Sequence, residues 1–447
     1  VTGNEGITID RRKAWVVVTL LFFYSVINFF DKLVLGLAAV PIMKELQLDP
    51  AQYGLVASSF YWLYAVSGVL VGLFVINRVR SKWLLVALVA IWSIAQAPIA
   101  FTSSLTVLVA CRILLGIGEG PGTPSAYEAA HSWFESKQRN LPTAIIIQGT
   151  SVGFLVGAPI LTYVIVDYGW RHAFLLCSVL GVVWIVAWLM FGADGPISVH
   201  APSATGTAPA RVPWSSLWFD RTMIGSYIVG FGSYWMVGLS IAWLAPFLQT
   251  GLGYDARAVG WVVSAMHAVQ PVIVIGLSVL SERALRRGAT SRTARANVNA
   301  GCLILAGCCF AAAMSIEGSG FLKVALLALG FQLPMITFVL GPAMVSEVAP
   351  TAQRGTALLV TYSVITVAGF ISPAVVGFIL KAAGPQDVAL GYTQAFLVSA
   401  AVLVVTGLAG FLFLHPDASR RRLEAAAQEE DASPALAASA PRSATAF

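Results

Sequence analysis

Apolar residues fill this chain in blocks of about twenty, separated by short polar gaps, from near residue 14 to near residue 414. A helix rises 1.5 Å per residue, so about twenty apolar residues cross the ~30 Å hydrocarbon core of a bilayer. Twelve such blocks are present, at roughly 14–40, 51–76, 83–102, 105–128, 142–166, 171–192, 222–249, 257–280, 298–315, 321–345, 356–380 and 391–414. They predict an all-α membrane protein with twelve transmembrane helices. The stretch 193–220 (ADGPISVHAPSATGTAPARVPWSSLWFD) is rich in Pro, Ala, Ser and Thr and divides the helices six and six. The predicted organisation is a cytoplasmic N-terminal segment 1–13, a six-helix bundle 14–192, a cytoplasmic linker 193–220, a second six-helix bundle 221–414 and a cytoplasmic tail 415–447. The tail begins basic and turns Ala/Ser-rich, the composition of a disordered segment or a short surface helix.

The two halves echo each other. KQRNLPTAIIIQGTSVGFLVGAPI after the fourth block parallels AQRGTALLVTYSVITVAGFISPAVV after the tenth. Gln138-Arg139 matches Gln353-Arg354, Pro159 falls within one residue of Pro373, and HAFLL (172–176) parallels QAFLV (394–398). Repeated halves predict two pseudo-symmetric bundles that alternate access to a site between them, near the midplane.

Composition agrees: 58% of residues are hydrophobic and 11% charged, against about 25% charged in soluble domains. The net charge of +6 is distributed by topology. With the N-terminus in the cytoplasm and alternating spans, twenty of the 27 basic residues fall on the inside and five on the outside. Lys32 and Arg112 lie within spans. This positive-inside bias predicts an integral multi-pass protein of the cell (inner) membrane with both termini cytoplasmic, and the basic charge does not call for a nucleic acid. The first block is too long for a signal-peptide core and carries Asp31, so no cleavage is expected. Cys111, Cys177, Cys302, Cys308 and Cys309 all fall in spans without metal spacing and read as small buried hydrophobes. No phosphate loop, zinc motif or nucleophile elbow is present, so no cofactor, metal or enzymatic activity is expected.

VLSERALRRG (279–288) after the eighth block resembles the cytoplasmic loop motif of the major facilitator superfamily, with Glu282 where Asp is usual. The counterpart INRVRSKW (76–83) is degenerate, with Asn77 where the superfamily has an Asp that helps latch the cytoplasmic side. RILLGIGEGPGTPSA…SWF…KQR in and after the fourth block, with GWRHAF (169–174), resembles the anion:cation symporter family, across roughly residues 14–414. The resemblance implies the major facilitator fold and transport of an organic anion.

Four charges fall inside spans: Asp31 and Lys32 in the first, Arg112 and Glu119 in the fourth. Each costs ~2.5–3.5 kcal/mol at the bilayer centre, on the order of 10 kcal/mol for four facing lipid. They must face one another or a wet cavity. Seven residues bring Glu119 to within ~20° of Arg112, about 10.5 Å along the axis, and Tyr24, Asn28 and Asp31 make a polar stripe on the first span. A fixed salt-bridge network is one reading; a proton and anion site is the other. A desolvated carboxylate takes up a proton more readily, and a neighbouring cation opposes this until an anion engages it. Substrate and proton would then favour each other's binding. The resemblance implies the same division: Asp31 and Glu119 for the proton, Lys32 and Arg112 for the anion. The family commonly has arginine at the position of Lys32, and lysine is a point charge without the planar fork.

Tyr61, Tyr64, Gln148, His267 and Gln270 are further candidates to line the cavity, with Tyr64 and Gln148 nearest positions the family uses for substrate. Packing explains a lone tyrosine equally well, and a lone intramembrane histidine is commonly a satisfied hydrogen-bonding group. Tyr234, Trp235 and Trp243 either shape an apolar pocket or pack on neighbours. Gly149, Gly153 and Gly157 before Pro159 form a ridge for close helix packing, and faintly resemble a signature of drug:proton antiporters. The leading expectation is a proton-coupled symporter of a small organic anion (a sugar acid, aromatic acid or short aliphatic acid), functional as a monomer. The alternatives are a proton-coupled antiporter or exchanger, and a non-transporting membrane receptor.

Overall fold

The computed structural model describes residues 10–75, 78–135, 138–197, 212–318, 320–350 and 353–425. The expected segment 1–13, linker 193–220 and tail 415–447 therefore lie partly outside the described residues, as does Asn77. Twelve helices are long and apolar enough to cross a membrane. They are α1 (Arg11–Leu37), α2 (Pro50–Gly72), α3 (Ser81–Ala100), α4 (Leu105–His131), α5 (Leu141–Tyr168) and α6 (Trp170–Phe191) in the first bundle. The second bundle holds α7 (Arg221–Gly251), α8 (Ala256–Arg286), α9 (Arg292–Ser315), α10 (Phe321–Val348), α11 (Arg354–Ala383) and α12 (Val388–Phe413). All twelve expected blocks are present, most of them extended by a few polar residues at one end.

Local chemistry sets where these helices start and break. Asp10, Asp49, Asp220 and Asp255 cap α1, α2, α7 and α8, each accepting from backbone N–H groups left free in the first turn. Gly120 and Pro121 divide α4 into Leu105–Glu119 and Gly122–His131, because proline lacks the N–H that would continue the ladder. A turn at residues 60–63 divides α2 in the same way. The pseudo-symmetry extends to the helix ends. Asp194, just past α6, accepts from the Lys82 N–H at the start of α3 (2.8 Å). Asp417, just past α12, accepts from the Ser291 and Arg292 N–H groups at the start of α9 (3.2 and 2.9 Å).

Residues 416–425 are helical, where the tail was expected to be disordered or a short surface helix. Burial of Leu423 with Val212, Leu217 and Met223 holds this helix, as does an Arg422–Asp220 ion pair of 2.7 Å. Cys308 corrects the reading of the cysteines: it is exposed on α9, while the other four are buried. Glu282, in the motif that the end of α8 carries, pairs with Arg286 of the same helix at 2.8 Å, both exposed. The glycine ridge of α5 seats that helix on α1, since added Cβ atoms at Gly149 and Gly153 would meet Phe22, Ser25 and Phe29. Packing accounts for the ridge.

The bundles are fastened together at the end away from the termini. Lys381 pairs with Asp49 (2.9 Å) and Arg257 with Asp167 (2.5 Å). The Tyr53 hydroxyl donates to the Leu35 and Ala242 carbonyls (3.2 and 3.1 Å), clasping α2, α1 and α7. The Ser264 hydroxyl donates to the Leu155 carbonyl (2.6 Å) across α8 and α5. Among the described residues, no ion pair joins the bundles at the opposite end. The protein is sealed at the end remote from its termini.

Two predictions follow from this seam and its surroundings. A Cβ at Gly54 would stand 2.6 Å from the Pro373 carbonyl oxygen, so Gly54→Val should hold the seam apart. Spin labels at the exposed Lys44 and Gln386, one on each bundle, should then report a longer distance than in the parent; an unchanged distance would show that the seam tolerates the side chain. Within the first bundle, Glu45 accepts from the Trp170 indole (2.6 Å) and pairs with Arg171. The Trp170 hydrogen bond, then Arg171, hold its carboxyl below the ordinary carboxylate range. A lowered acid contributes fully above its unfolded value and loses that contribution as pH falls through the folded one. Glu45→Gln should therefore lower Tm at neutral pH and flatten its fall on acidification, as followed by circular dichroism.

Candidate functional site

The close approach of α2 to α4 builds the site. A Cβ on Gly116 would stand 1.9 Å from the Phe60 carbonyl oxygen, and one on Gly120 2.1 Å from that of Tyr64. Only glycine lets the broken turn of α2 lie directly on α4. That contact brings Phe60, Tyr61 and Tyr64 beside the helix that carries Arg112 and Glu119.

The four charges are buried but divide among three environments. Glu119 (2% exposed) pairs with Lys32 across α4 and α1, Oε2 to Nζ 2.8 Å. Lys32 also donates to Asn28 Oδ1 one turn back and lies 4.8 Å from the centre of the Phe29 ring. Asp31 (0% exposed) turns the other way, toward α3 and α6. Its Oδ1 accepts from Gln96 Nε2 at 2.9 Å, and the Cys177 thiol reaches the same carboxyl. Arg112 (1% exposed) stacks over Phe60, 4.9 Å to the ring centre. Its Nε and Nη1 are buried and have no acceptor among the described residues. An Arg N–H in a dry site without an acceptor forfeits the hydrogen bonds it had in water.

Tyr61 and Tyr64 are buried and pack on Phe60 (ring centres 4.8 and 5.3 Å). Tyr61 meets Tyr234 of α7 at 5.9 Å, and Tyr234 meets Tyr362 of α11 at 6.0 Å. Tyr24 stands apart, packed on Trp92 and Trp184. His267 lies at the α5–α8 seam, stacked on Phe154 (4.1 Å). Its Nδ1 is 2.9 Å from the Val263 carbonyl and its Nε2 3.4 Å from the Ser240 hydroxyl. Gln148 is exposed and Gln270 half-buried. Measured from the Ser264–Leu155 contact, they lie about 10.5 and 9 Å nearer the termini on facing helices. Trp235 and Trp243 pack within the second bundle, their indoles donating to Ser399 and to the Pro373 carbonyl.

The structure thus brings Lys32 and Glu119 together, sets Arg112 on the neighbouring aromatic wall, and places Asp31 in the interior of the first bundle. His267 belongs to the other seam, and Gln148 and Gln270 lie on its two helices. Gln96, Cys177 and Tyr362 were not anticipated as site residues. A lone amide in the apolar third span was a visible signal for Gln96; the other two carried none.

The comparisons with known proteins agree with this architecture. The family model of the Major Facilitator Superfamily matches residues 21–373. The chain is 28% identical to a probable sulfoacetate transporter of Cupriavidus necator, over 91% of this chain and 94% of that protein. It is 26% identical to a hexuronate transporter of Bacillus subtilis, over 90% and 94%. It is also 26% identical to a probable galactarate/D-glucarate transporter of Escherichia coli, over 90% and 95%. Among solved structures, an inward-facing, unoccupied bacterial homolog of the lysosomal transporter Spinster superposes with TM-score 0.77 at 18% identity, covering 93% of this chain and 99% of that one. A D-xylose-proton symporter gives 0.69 at 15%, covering 91% and 99%. The resemblance to anion:cation symporters in α4 agrees with the relatives' names. The chain belongs to the Major Facilitator Superfamily, and is a multi-pass membrane transporter rather than an enzyme.

Proposed function

We propose that this transporter is a proton-coupled symporter of a small organic anion, a carboxylate in the first instance. It would work as a monomer by alternating access in the cell membrane. One observation carries the reading: a buried guanidinium with two N–H groups unsatisfied among the described residues lies on the same helix as a buried carboxylate whose counter-ion is the Lys32 ammonium. The guanidinium is a receptor for an anion. The ammonium is shared property, able to serve Glu119 or the cargo. The names of the relatives, which include sulfoacetate, hexuronate and galactarate transporters, support an anionic cargo.

In the empty site Lys32 neutralises Glu119. An incoming carboxylate binds Arg112 and draws Lys32 toward itself. Glu119, left without its partner in a desolvated site, then takes a proton. Cargo and proton each strengthen the other's binding, a coupling typically worth 1–3 kcal/mol. Asp31 is the second proton carrier, held by Gln96 and Cys177. The loaded site carries less uncompensated charge than a half-loaded one, which lets the bundles rock across the bilayer at lower cost. The excess of basic residues at the termini end supports a cytoplasmic position for that end, which would make the sealed seam extracellular and the conformation inward-facing.

In proteoliposomes with an imposed pH gradient, the protein should concentrate its anion on the alkaline side, toward which protons flow. Glu119→Gln should abolish gradient-driven accumulation and keep counterflow exchange; normal accumulation by this variant would overturn the coupling role. Arg112→Ala should weaken anion binding roughly a hundredfold or more, as expected when a buried charge partner is removed. Unchanged affinity would return Arg112 to a structural role.

A further inference from the structure

We propose, building on the anion-symport reading, that the cargo has a planar unsaturated body beside its carboxylate, and that Tyr234 and Tyr362 of the second bundle select it. Aryl carboxylates are then preferred over polyhydroxylated sugar acids. This sets the chain apart from relatives named for hexuronate and galactarate.

An unbroken series of rings runs from the anion receptor in one bundle to the surface of the other. Phe60 lies under Arg112, Tyr61 and Tyr64 pack on Phe60, Tyr234 meets Tyr61 edge-on, and Tyr362 meets Tyr234 edge-on. Tyr61, Tyr64 and Tyr234 are each at most 6% exposed, whereas Tyr362 is 45% exposed. A ring that ends a series begun in the first bundle and is still open to solvent faces the cleft between the bundles. An anion moving from the open end toward Arg112 meets Tyr362 first.

Three polar groups near this wall are already engaged. Asn28 is taken by Lys32, Gln96 by Asp31, and the Tyr53 hydroxyl by two backbone carbonyls. Gln148 and Gln270 lie on α5 and α8 instead, helices that carry none of these rings. A sugar acid brings several hydroxyls, each needing a partner once water is excluded, and a site without them rejects the polyol. Aromatic edges and faces at 4.5–7 Å favour another ring.

The test is binding of benzoate, phenylacetate, glucuronate, galactarate and sulfoacetate to the purified full-length protein, by calorimetry. The aryl carboxylates should bind at least about tenfold tighter than the sugar acids. Tyr362→Phe, which keeps the ring, should hold that ratio within about threefold. Tyr362→Leu and Tyr234→Leu, which keep bulk without aromaticity, should lower it about tenfold. A tighter sugar acid or sulfoacetate whose binding still requires Arg112 would overturn this inference and leave the symport reading standing. An aryl preference unmoved by both leucine variants, or no aryl binding at about millimolar concentration, would also overturn it. Binding of every anion unaffected by Arg112→Ala would instead overturn the symport reading itself.

Discussion

Burial of an ammonium and a carboxylate inside a membrane is tolerable here because each is the other's partner. Removal from water costs several kcal/mol per ion, and only close mutual contact with added hydrogen bonding offsets it. Lys32 and Glu119 meet at 2.8 Å, with Asn28 bracing the ammonium. That contact ties α1 to α4. It also makes the pair responsive: any group that competes for one ion exposes the other to the full cost of burial. The glycines of α4 belong to the same constraint, because without Gly116 and Gly120 the broken α2 could not lie close enough to wall the site with rings.

The rest of the fold decides from which side this pair can be reached. The inter-bundle ion pairs and the Tyr53 clasp all sit at one end, and only small residues allow the backbones to meet there. At the other end each bundle is braced within itself. Glu347 holds Arg295 and the Ser291 hydroxyl (2.7 and 2.6 Å), and Asp194 and Asp417 cap α3 and α9. Rigid bundles with a breakable seam between them are what a two-state rocking motion requires.

The helices were legible because apolar length alone marks a span, and the two halves because matched polar residues fell in matched loops. The site was legible in part. Spacing on one helix gives an angle on that helix, which put Arg112 and Glu119 within ~20° of each other. It says nothing about which neighbour stands opposite. Asp31 and Lys32 are adjacent, hence about 100° apart, and the structure sends them to different helices, Asp31 to Gln96 and Lys32 to Glu119. Cys177 read as a small hydrophobe and lies on the carboxyl of Asp31. Tyr362 read as one aromatic among many, and its position depends on how α11 packs across α2 and α7.

The replacement of the family's arginine by Lys32 fits the arrangement around it. An ammonium is a compact charge on a flexible stem with three donors. One donor goes to Asn28 and one side of the charge to Glu119, and the head can swing from carboxylate to cargo by rotation of its own bonds. A guanidinium at that position would hold Glu119 in a planar fork and release it less readily. Arg112 has the opposite duty. It stands on an aromatic face with two N–H groups unclaimed among the described residues, which in the proposed reading makes its geometry ready before the anion arrives. In the proposed mechanism one helix pair holds a fixed receptor and a transferable counter-ion, and coupling would arise from the difference between them.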